Sequence, residues 1–583
     1  MAGDVPDGVT DAVAGDVPDG VTGTRGAVLP PAYADPASAA AWLSQPTRVW
    51  NGAITVAAAA VTAFTGWQSR WISDDGLIAV RTVRQLLAGN GPVFNAGERV
   101  EANTSTAWTY LVALVSWLGR ADPAHVSVVL GLVCTVGAVA FALSGAMLLH
   151  GGAHWFLPAG VLVVLVLPPF REFATSGLET GPVFLWIGAS WWLLVRAARG
   201  GPVLPLVFVL GLAPLVRPEL ALVHPVFFGA LLVLRRPGWR ATARWLAVSA
   251  ALPVAYQVFR MGYYGLLVPN TALAKEAGAS RWARGLLYAG DTVLTYQLAG
   301  PLLAVVPLAL WALRRRGDLV LAAAPLTAGV LMLLYVLRVG GDFMHGRMML
   351  PVLLLVLLPA LVLPLHAVTT LACTAVAMWA ALCATALHVP YGQAIGPDGI
   401  ADERGFYVAW TGDPHPIGAE PYVRAAADPL STQSATGLYV PGTPFGPVPL
   451  RADQPARLGI SGNVMGTLGA SFPLDALVID RLGLANALGS HMETACGQRV
   501  GHEKPLPPEY VFADYADPAT RLPDARFQAE VERIRGELAR GRFRDLLDAT
   551  RAPLTPGRFW DNLVGAPART AFRFPTANAP CPS

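Results

Sequence analysis

Asp74 and Asp75 stand side by side a few residues beyond the first long apolar run of the chain, Asn51–Gly66. A carboxylate at the edge of a low-dielectric region is costly unless it is paired or used, and its raised proton affinity suits general-base work on a hydroxyl. The same position also suits a cap for a helix running from Gly76. Further on, Glu98, Arg99, Glu101 and Asn103 crowd the run Asn95–Ser105, a polar density fitted either to binding hydroxyls or to a wet connecting loop. Asp342 and His345, three residues apart, make half of a metal site and could hold a divalent cation or orient a substrate. Glu179 and Glu219 precede apolar runs, where a helix N-terminus favours acids, and read equally as caps or as substrate contacts.

The elements that must position these groups are membrane spans. The chain has 583 residues, of which 54% are hydrophobic and 14% charged, and its mean hydropathy of +0.47 lies outside the range of ordinary soluble domains. No basic tract with interleaved aromatics occurs, so nucleic acid is not an expected partner. Apolar stretches long enough to cross hydrocarbon lie near 51–69, 124–149, 154–170, 178–197, 202–216, 219–234, 242–260, 298–313, 319–338, 349–365 and 367–388, which gives about eleven spans. Pro214, Pro218 and Pro225 predict broken or tilted helices in the middle of that set. Arg196 and Arg199, then Arg235, Arg236, Arg240 and Arg244, then Arg314, Arg315 and Arg316 recur at every second connection. By the positive-inside rule those connections are cytoplasmic, so the loops with the unusual acids, and everything after the last span, face outward.

Residues 1–48, which repeat AGDVPDGVT at Ala2–Thr10 and Ala14–Thr22, are too poor in large apolar side chains to offset the entropy of ordering and read as a disordered cytoplasmic tail. With no basic start ahead of an apolar region they do not read as a cleavable signal peptide, and the first span serves as an uncleaved anchor. Residues 49–390 form the membrane unit. In its first outer loop Leu77, Val80, Val83 and Leu87 share one helical face and Arg81, Arg84 and Gln85 the other, which predicts a helix lying flat in the interface with its arginines on lipid headgroups. Thr106–Leu118 predicts a second interfacial or re-entrant helix. Residues 391–583 read as an extracytoplasmic α/β or β-rich domain that ends in a charged helical pattern, Asp524–Leu547. Trp560, Phe559, Tyr510 and Tyr515 suggest a carbohydrate-binding or acceptor-guiding role for it, and serve equally as core aromatics. Cys134, Cys373 and Cys383 fall in apolar runs as packing residues, whereas Cys496 and Cys581 could close a disulfide outside the cell.

The ordered motifs carry a family resemblance. Ile72–Ile78, Ala88–Thr106, Ser176–Thr180, Arg217–Glu219, Tyr263–Lys275, Gly340–Arg347 and Gly483–His491 together resemble the terminal β-(1→2)-arabinofuranosyltransferases of actinobacteria. That resemblance implies a polytopic GT-C fold, an aspartate of the first outer loop (Asp74 or Asp75) as the catalytic carboxylate, and decaprenyl-phosphoryl-arabinofuranose as donor. It implies the non-reducing ends of cell-wall arabinan, in arabinogalactan and lipoarabinomannan, as acceptor, and a cytoplasmic-membrane location. A β-linked donor and a β-linked product imply net retention, through a covalent intermediate or same-face departure and attack. A lipid phosphate needs cations, for which Lys275, Arg217 and Arg347 are the candidates. Glu98, Glu101, Asn103, Glu179, Glu219, Asn270, Asp342 and His345 remain as sugar contacts. Two other classes share the hydropathy profile, a flippase for a polyprenyl-linked glycan and a non-catalytic envelope scaffold. A flippase needs polar groups at the midplane and often repeated halves, neither of which is visible.

Overall fold

In the computed structural model of the protein, residues 46–575 are described apart from 153, 277, 279, 315–317, 426–435 and 496–499. Both ends of the expected Cys496–Cys581 disulfide and most of the expected tail lie outside these residues, as do Arg315 and Arg316.

The apolar runs fold as helices. The first is α1 (Pro46–Gln68), followed by two shorter helices, α2 (Asp74–Leu87) and α3 (Thr106–Gly119), and by α4 (Pro123–Leu149). Next come α5 (Gly160–Val166), α6 (Pro168–Phe173), α7 (Thr180–Ala198), α8 (Leu204–Gly211) and α9 (Ala213–Val216). A 3-10 turn, Pro218–Leu222, leads into α10 (Val223–Arg235), α11 (Trp239–Tyr264) and the single turn α12 (Asn270–Ala274). Then α13 (Trp282–Thr295), α14 (Ala299–Arg314), α15 (Leu319–Val339), α16 (Met349–Leu357) and α17 (Ala367–Thr385) complete the bundle.

Among the described residues, six helical segments are long and apolar enough to cross a membrane: α1, α4, α7, Pro218–Arg235, α15 and α17. The α13–α14 pair, bent by 87°, adds a seventh if it is one span. Of the other runs expected as spans, 242–260 lies in one continuous helix, α11, while 154–170, 202–216 and 349–365 are broken into shorter pieces, and the causes are local. Pro168 and Pro169 force Leu167 into extended backbone between α5 and α6, because the residue before a proline is driven out of the helical region. Arg217 is extended before Pro218 for the same reason. The run 349–365 passes from α16 through a 3-10 turn into a two-residue strand, β2 (Leu363–Pro364), which pairs antiparallel with β1 (Phe156–Leu157).

The arginine-bearing connections gather at one end of the bundle. Arg199 donates to Asp318 at 2.8 Å and to the Leu149 carbonyl, and Arg235 donates to the Ala197 carbonyl at 2.9 Å. The loops with the candidate site residues meet at the other end.

Beyond the bundle, α18 (Glu403–Thr411) and α19 (Glu420–Ala425) still belong to its apolar core, because Tyr407 and Tyr422 are buried with Trp71 and Phe173. The chain then forms a parallel sheet in the order β3-β4-β5 (Gly437–Tyr439, Leu458–Gly462, Leu477–Asp480). Around it lie α20 (Met465–Ser471), α21 (Ala487–His491), α22 (Pro508–Tyr515), α23 (Ala525–Leu538), α24 (Gly541–Arg551) and α25 (Pro556–Ala571). The region is an α/β unit dominated by helices rather than a β-rich one, and the charged pattern expected as one element is two helices that part at Ala539 and Arg540.

The first outer loop corrects a further expectation. Arg81 does not reach lipid headgroups: it is fully buried and donates to the carbonyls of Phe94, Gly469, Phe472, Pro473 and Ala476. Its guanidinium carries five donors, and the Phe94 carbonyl together with four carbonyls of the C-terminal region satisfies them. The polar face of α2 is thus covered by protein. Arg84 pairs with Asp122 at 2.8 Å, the residue that caps α4.

Candidate functional site

Helix α2 begins at Ser73, whose hydroxyl accepts from the Gly76 amide while its own amide and hydroxyl donate to the Ser176 carbonyl. This fixes Asp74 and Asp75 in the first turn, where the helix N-terminus favours negative charge. They then diverge. Asp74 accepts from the amides of Gly466 and Thr467, at 3.1 and 2.7 Å, and from the Thr467 hydroxyl at 2.8 Å. It thereby satisfies donors in the first turn of α20. The approach is so close that a Cβ on Gly466 would lie 1.7 Å from the Asp74 carbonyl oxygen, so only glycine fits there. Asp75 turns the other way, toward Lys275 at 3.4 Å.

Burial pushes the Asp74 carboxyl up to about 6, against the Thr467 hydrogen bonds and with repulsion from Asp75 adding to the rise. Burial acts on Asp75 in the same sense, but the positive charges of Lys275, Arg347 and His502 outweigh it and hold that carboxyl below its ordinary value. The two neighbours are therefore electrostatically distinct: Asp75 is the firmly ionised one, and Asp74 is the one whose oxygens are already engaged.

Asp75 and Lys275 border two adjoining cavities. One, of about 190 Å³, is lined also by Asn103, Glu179, Arg217, Glu219, Asp342 and Arg347, with apolar walls from Ile78, Trp108, Tyr335 and Val339. Arg217 forms ion pairs with Glu179, at 2.6 Å, and with Glu219, and Arg347 with Asp342 at 2.6 Å. The Lys275–Asp75 pair is the longest of these, and its side chains keep 29% and 19% of their exposure. The second cavity, of about 180 Å³, adds Asp74, Phe343, Glu403, Tyr407, Asn463 and His502. The arrangement sets three cations among four carboxylates, with Arg217 and Arg347 held tightly and Lys275 and Asp75 the looser pair open to a ligand.

The turn that presents Lys275 is built by the C-terminal region. Asn270, at the start of α12, is buried and donates to the carbonyls of Gly483, Leu484 and Asn486, and it accepts from Ser490. Lys504, fully buried, donates to the carbonyls of Leu273 and Ser490 and pairs with Glu276. Burial pulls its ammonium down to about 8, against the pull of Glu276. Glu276 sits at φ +41°, a left-handed conformation that is strained for a residue with a side chain. Lys504 and Arg573 both hold its carboxylate, which secures the sharp turn directly after Lys275.

Of the residues expected from sequence, Asp75, Asn103, Glu179, Arg217, Glu219, Lys275, Asp342 and Arg347 converge on one cavity, with Asp74 at the edge of the next. Four do not. Glu98 meets Arg551 at 2.9 Å and accepts from the Tyr515 hydroxyl. Glu101 pairs with Arg260 at 2.6 Å and accepts from Tyr256. Asn270 is spent on backbone carbonyls, as described. His345 lies within 2.5 Å of Asp291 and 3.0 Å of the Tyr296 hydroxyl, whereas Asp342 holds Arg347. The half metal site thus divides, and among the described residues no three His, Cys, Asp or Glu side chains group to hold a metal ion. Of the aromatics singled out in the last domain, Tyr515 is buried against Glu98 and Arg551. Phe559 packs on Gly262, Tyr510 stacks near Phe574, and Trp560 is exposed.

Sequence reasoning missed Trp108, Tyr335, Glu403, Asn463 and His502. Trp108 and Tyr335 sit in apolar runs that hide them. Glu403 follows the helix cap Asp402, and the polar cluster Gly501–Lys504 was a signal available to be read.

A profile of the AftB family C-terminal domain matches residues 452–568. A terminal β-(1→2)-arabinofuranosyltransferase of Mycobacterium tuberculosis is 37% identical, the alignment covering 89% of this chain and 94% of that protein. One of Corynebacterium glutamicum is 35% identical, over 88% of this chain and 84% of that protein. No solved structure matches.

Proposed function

The chain belongs to the AftB family of terminal β-(1→2)-arabinofuranosyltransferases and is a pentose-transferring glycosyltransferase, and on that premise we propose which substrates it joins and how. The donor is decaprenyl-phosphoryl-arabinofuranose, the acceptor the non-reducing end of cell-wall arabinan in arabinogalactan and lipoarabinomannan, and the product a terminal β-(1→2) linkage.

The observation that carries this reading is the Asp75–Lys275 pair at the boundary of two cavities. The first cavity has aromatic and aliphatic walls from α3 and α15 beside its three cations, which suits a lipid-linked phosphate. Lys275 is the most available cation, with Arg217 and Arg347 adding charge to hold the departing phosphate. The second cavity takes its walls from α18, the loop before α20 and the Gly501–His502 turn, where Glu403, Asn463 and His502 offer polar groups, and Phe406 and Tyr407 aromatic rings, to a glycan. In transfer, the bond between the anomeric carbon and the phosphate oxygen breaks, the phosphate leaves with the electron pair, and the acceptor oxygen bonds to that carbon as its proton passes to a base.

Asp75 faces the electron-poor anomeric carbon. Being held ionised, it is a poor proton acceptor in the resting enzyme and a suitable nucleophile or charge partner, which fits a retaining route. Asp74 is the positioning residue that ties α2 to α20. Asn103, Glu179, Glu219 and Asp342 remain as sugar contacts or as holders of the arginines, while Glu98, Glu101, Asn270 and His345 act through the walls.

The chain crosses the cytoplasmic membrane about eleven times in this reading, each interrupted run returning it to the opposite face. The arginine end is cytoplasmic, and the cavities and C-terminal region are outside. A flippase would need its polar groups at mid-bilayer, whereas these lie at helix ends. The test is transfer from a synthetic polyprenyl-phosphoryl-arabinofuranose to an arabinofuranosyl oligosaccharide. The Asp75→Asn variant should lose it while keeping its fold, and unchanged transfer would remove Asp75 from the chemistry.

A further inference from the structure

Helix α25, the last of the described residues, has two unlike faces. Its inner face holds Asn562, Ala566 and Arg569: Asn562 donates to the Gly262 and Ala549 carbonyls, and Arg569 pairs with Asp545 at 2.9 Å. Beside them the Phe559 ring lies so close to Gly262 that a Cβ there would approach it to 2.2 Å. The outer face carries Trp560 and Val564, exposed by 64% and 62%. Pro567, Ala568 and Ala571 continue that exposed stripe, in which Asp561 is the one charge.

The apolar stripe lies at a particular height. Gly262 belongs to the last turn of α11, whose 26 residues span about 39 Å, more than the roughly 30 Å of a hydrocarbon core. Its outer end is therefore at the lipid–water boundary. Of the aromatics that cluster there, Tyr256, Phe259 and Tyr263 keep part of their surface, as side chains at a membrane interface do, while Tyr264 is buried. Below them Leu246, Leu252, Val254 and Val258 are exposed along α11, as lipid-facing residues are. By contrast α23 exposes a charged face, Glu530, Arg533 and Glu537, linked by ion pairs among themselves, as a helix standing in water does.

We propose that α25 is an interfacial anchor that seats the C-terminal region on the outer leaflet, with Trp560 and Val564 buried among lipids at the headgroup boundary. The inference rests on the reading above that α11 crosses the bilayer. A tryptophan beside aliphatic residues at the headgroup boundary gains by apolar burial while its indole N–H stays near water. Because α24 holds the loop that carries Arg99, through the carbonyls of Ala549 and Ala552, and α25 is tied to α24 by Asn562 and Arg569, the anchor would also keep the first outer loop at the membrane.

The experiment places the full chain in phosphatidylglycerol–phosphatidylcholine nanodiscs containing a lipid with a diazirine in its acyl chain, and maps the photolabel by mass spectrometry. Peptides of α25 should be labelled about tenfold more than those of α23, and the Trp560→Asp, Val564→Asp double variant should lose about four-fifths of that label with an unchanged melting temperature. Label on α11 at α23 levels for α25 overturns the anchor alone. Absence of label from both α11 and α25 overturns the span reading as well. If Trp560 were instead a platform for sugar, Trp560→Ala would weaken binding of an arabinofuranosyl oligosaccharide and leave lipid labelling at background, which also rejects the proposal.

Discussion

At the seam between the first outer loop and the last helices, Arg551 meets Glu98 at 2.9 Å and Asp514 at 2.6 Å and donates to the Tyr515 hydroxyl, with both carboxylates buried. In the cavity, Lys275 meets Asp75 at 3.4 Å beside empty space. Both clusters pair a residue of the first outer loop with a distant cation, yet one is closed and the other has slack. Saturated, desolvated charge fixes geometry, and losing one partner is costly because the other is left uncompensated. A long pair bordering a cavity can exchange its partner for a ligand at little cost. Sealing, rather than residue type, divides the acids locked in the seam from the one that borders the cavity.

The largest effect expected from this contrast is at Asp75. Asp75→Asn should lower the rate of transfer by about 10³-fold or more without changing the melting temperature, as read by transfer assay and thermal denaturation of the same preparation. A comparable loss of both would erase the distinction. Next is the seam: Arg551→Met should cost about 3–5 kcal/mol of stability, since Glu98 and Asp514 would be left buried and unpaired. Denaturant titration measures it, and the surviving folded enzyme should keep its KM for donor.

Lys275→Gln should raise the KM for donor about tenfold through the lost phosphate contact. It should also move the acid limb of the pH–rate profile upward. Lys275 is the largest charge opposing the burial that would otherwise raise Asp75, so without it the carboxylate takes up its proton at higher pH. The wild-type limb should fall below the ordinary aspartate value of 3.8, and coincident limbs would mean the pair is not coupled.

The smallest effect belongs to Asp74. Its carboxyl is raised to about 6 in the folded protein from 3.8, so between those values the folded state holds more protons than the unfolded one. Its contribution to stability is then greatest at acid pH, declines as pH rises through that window, and is flat above it. Asp74→Asn should flatten this slope in melting temperatures recorded from pH 4 to 7.

Much of the site was legible before any fold was in view. The motifs that end in Lys275 and Arg347, and the acids at Glu179 and Glu219, were readable because polar side chains beside apolar runs are expensive and their placement at alternate connections puts them at one membrane boundary. The breaks at Leu167 and Arg217 were half legible, since the prolines were visible but not which span each would divide. Arg81 was read wrongly for a physical reason: helical periodicity identifies a polar face but not what covers it, and all but one of the carbonyls that satisfy this arginine lie nearly four hundred residues away.

By itself, then, the sequence determined the membrane bundle, its arginine-rich end, the family, and a short set of charged residues most of which line one cavity. These follow from local quantities, namely hydropathy, spacing and charge. Only the tertiary structure separated Asp74 from Asp75 and withdrew Glu98, Glu101 and Asn270 from the cavity. It also revealed that Lys504 and Arg573, from distant segments, hold Glu276 in the turn behind Lys275. Each of these is a choice of partner, and partners are selected by three-dimensional packing among groups that chemistry alone leaves equivalent.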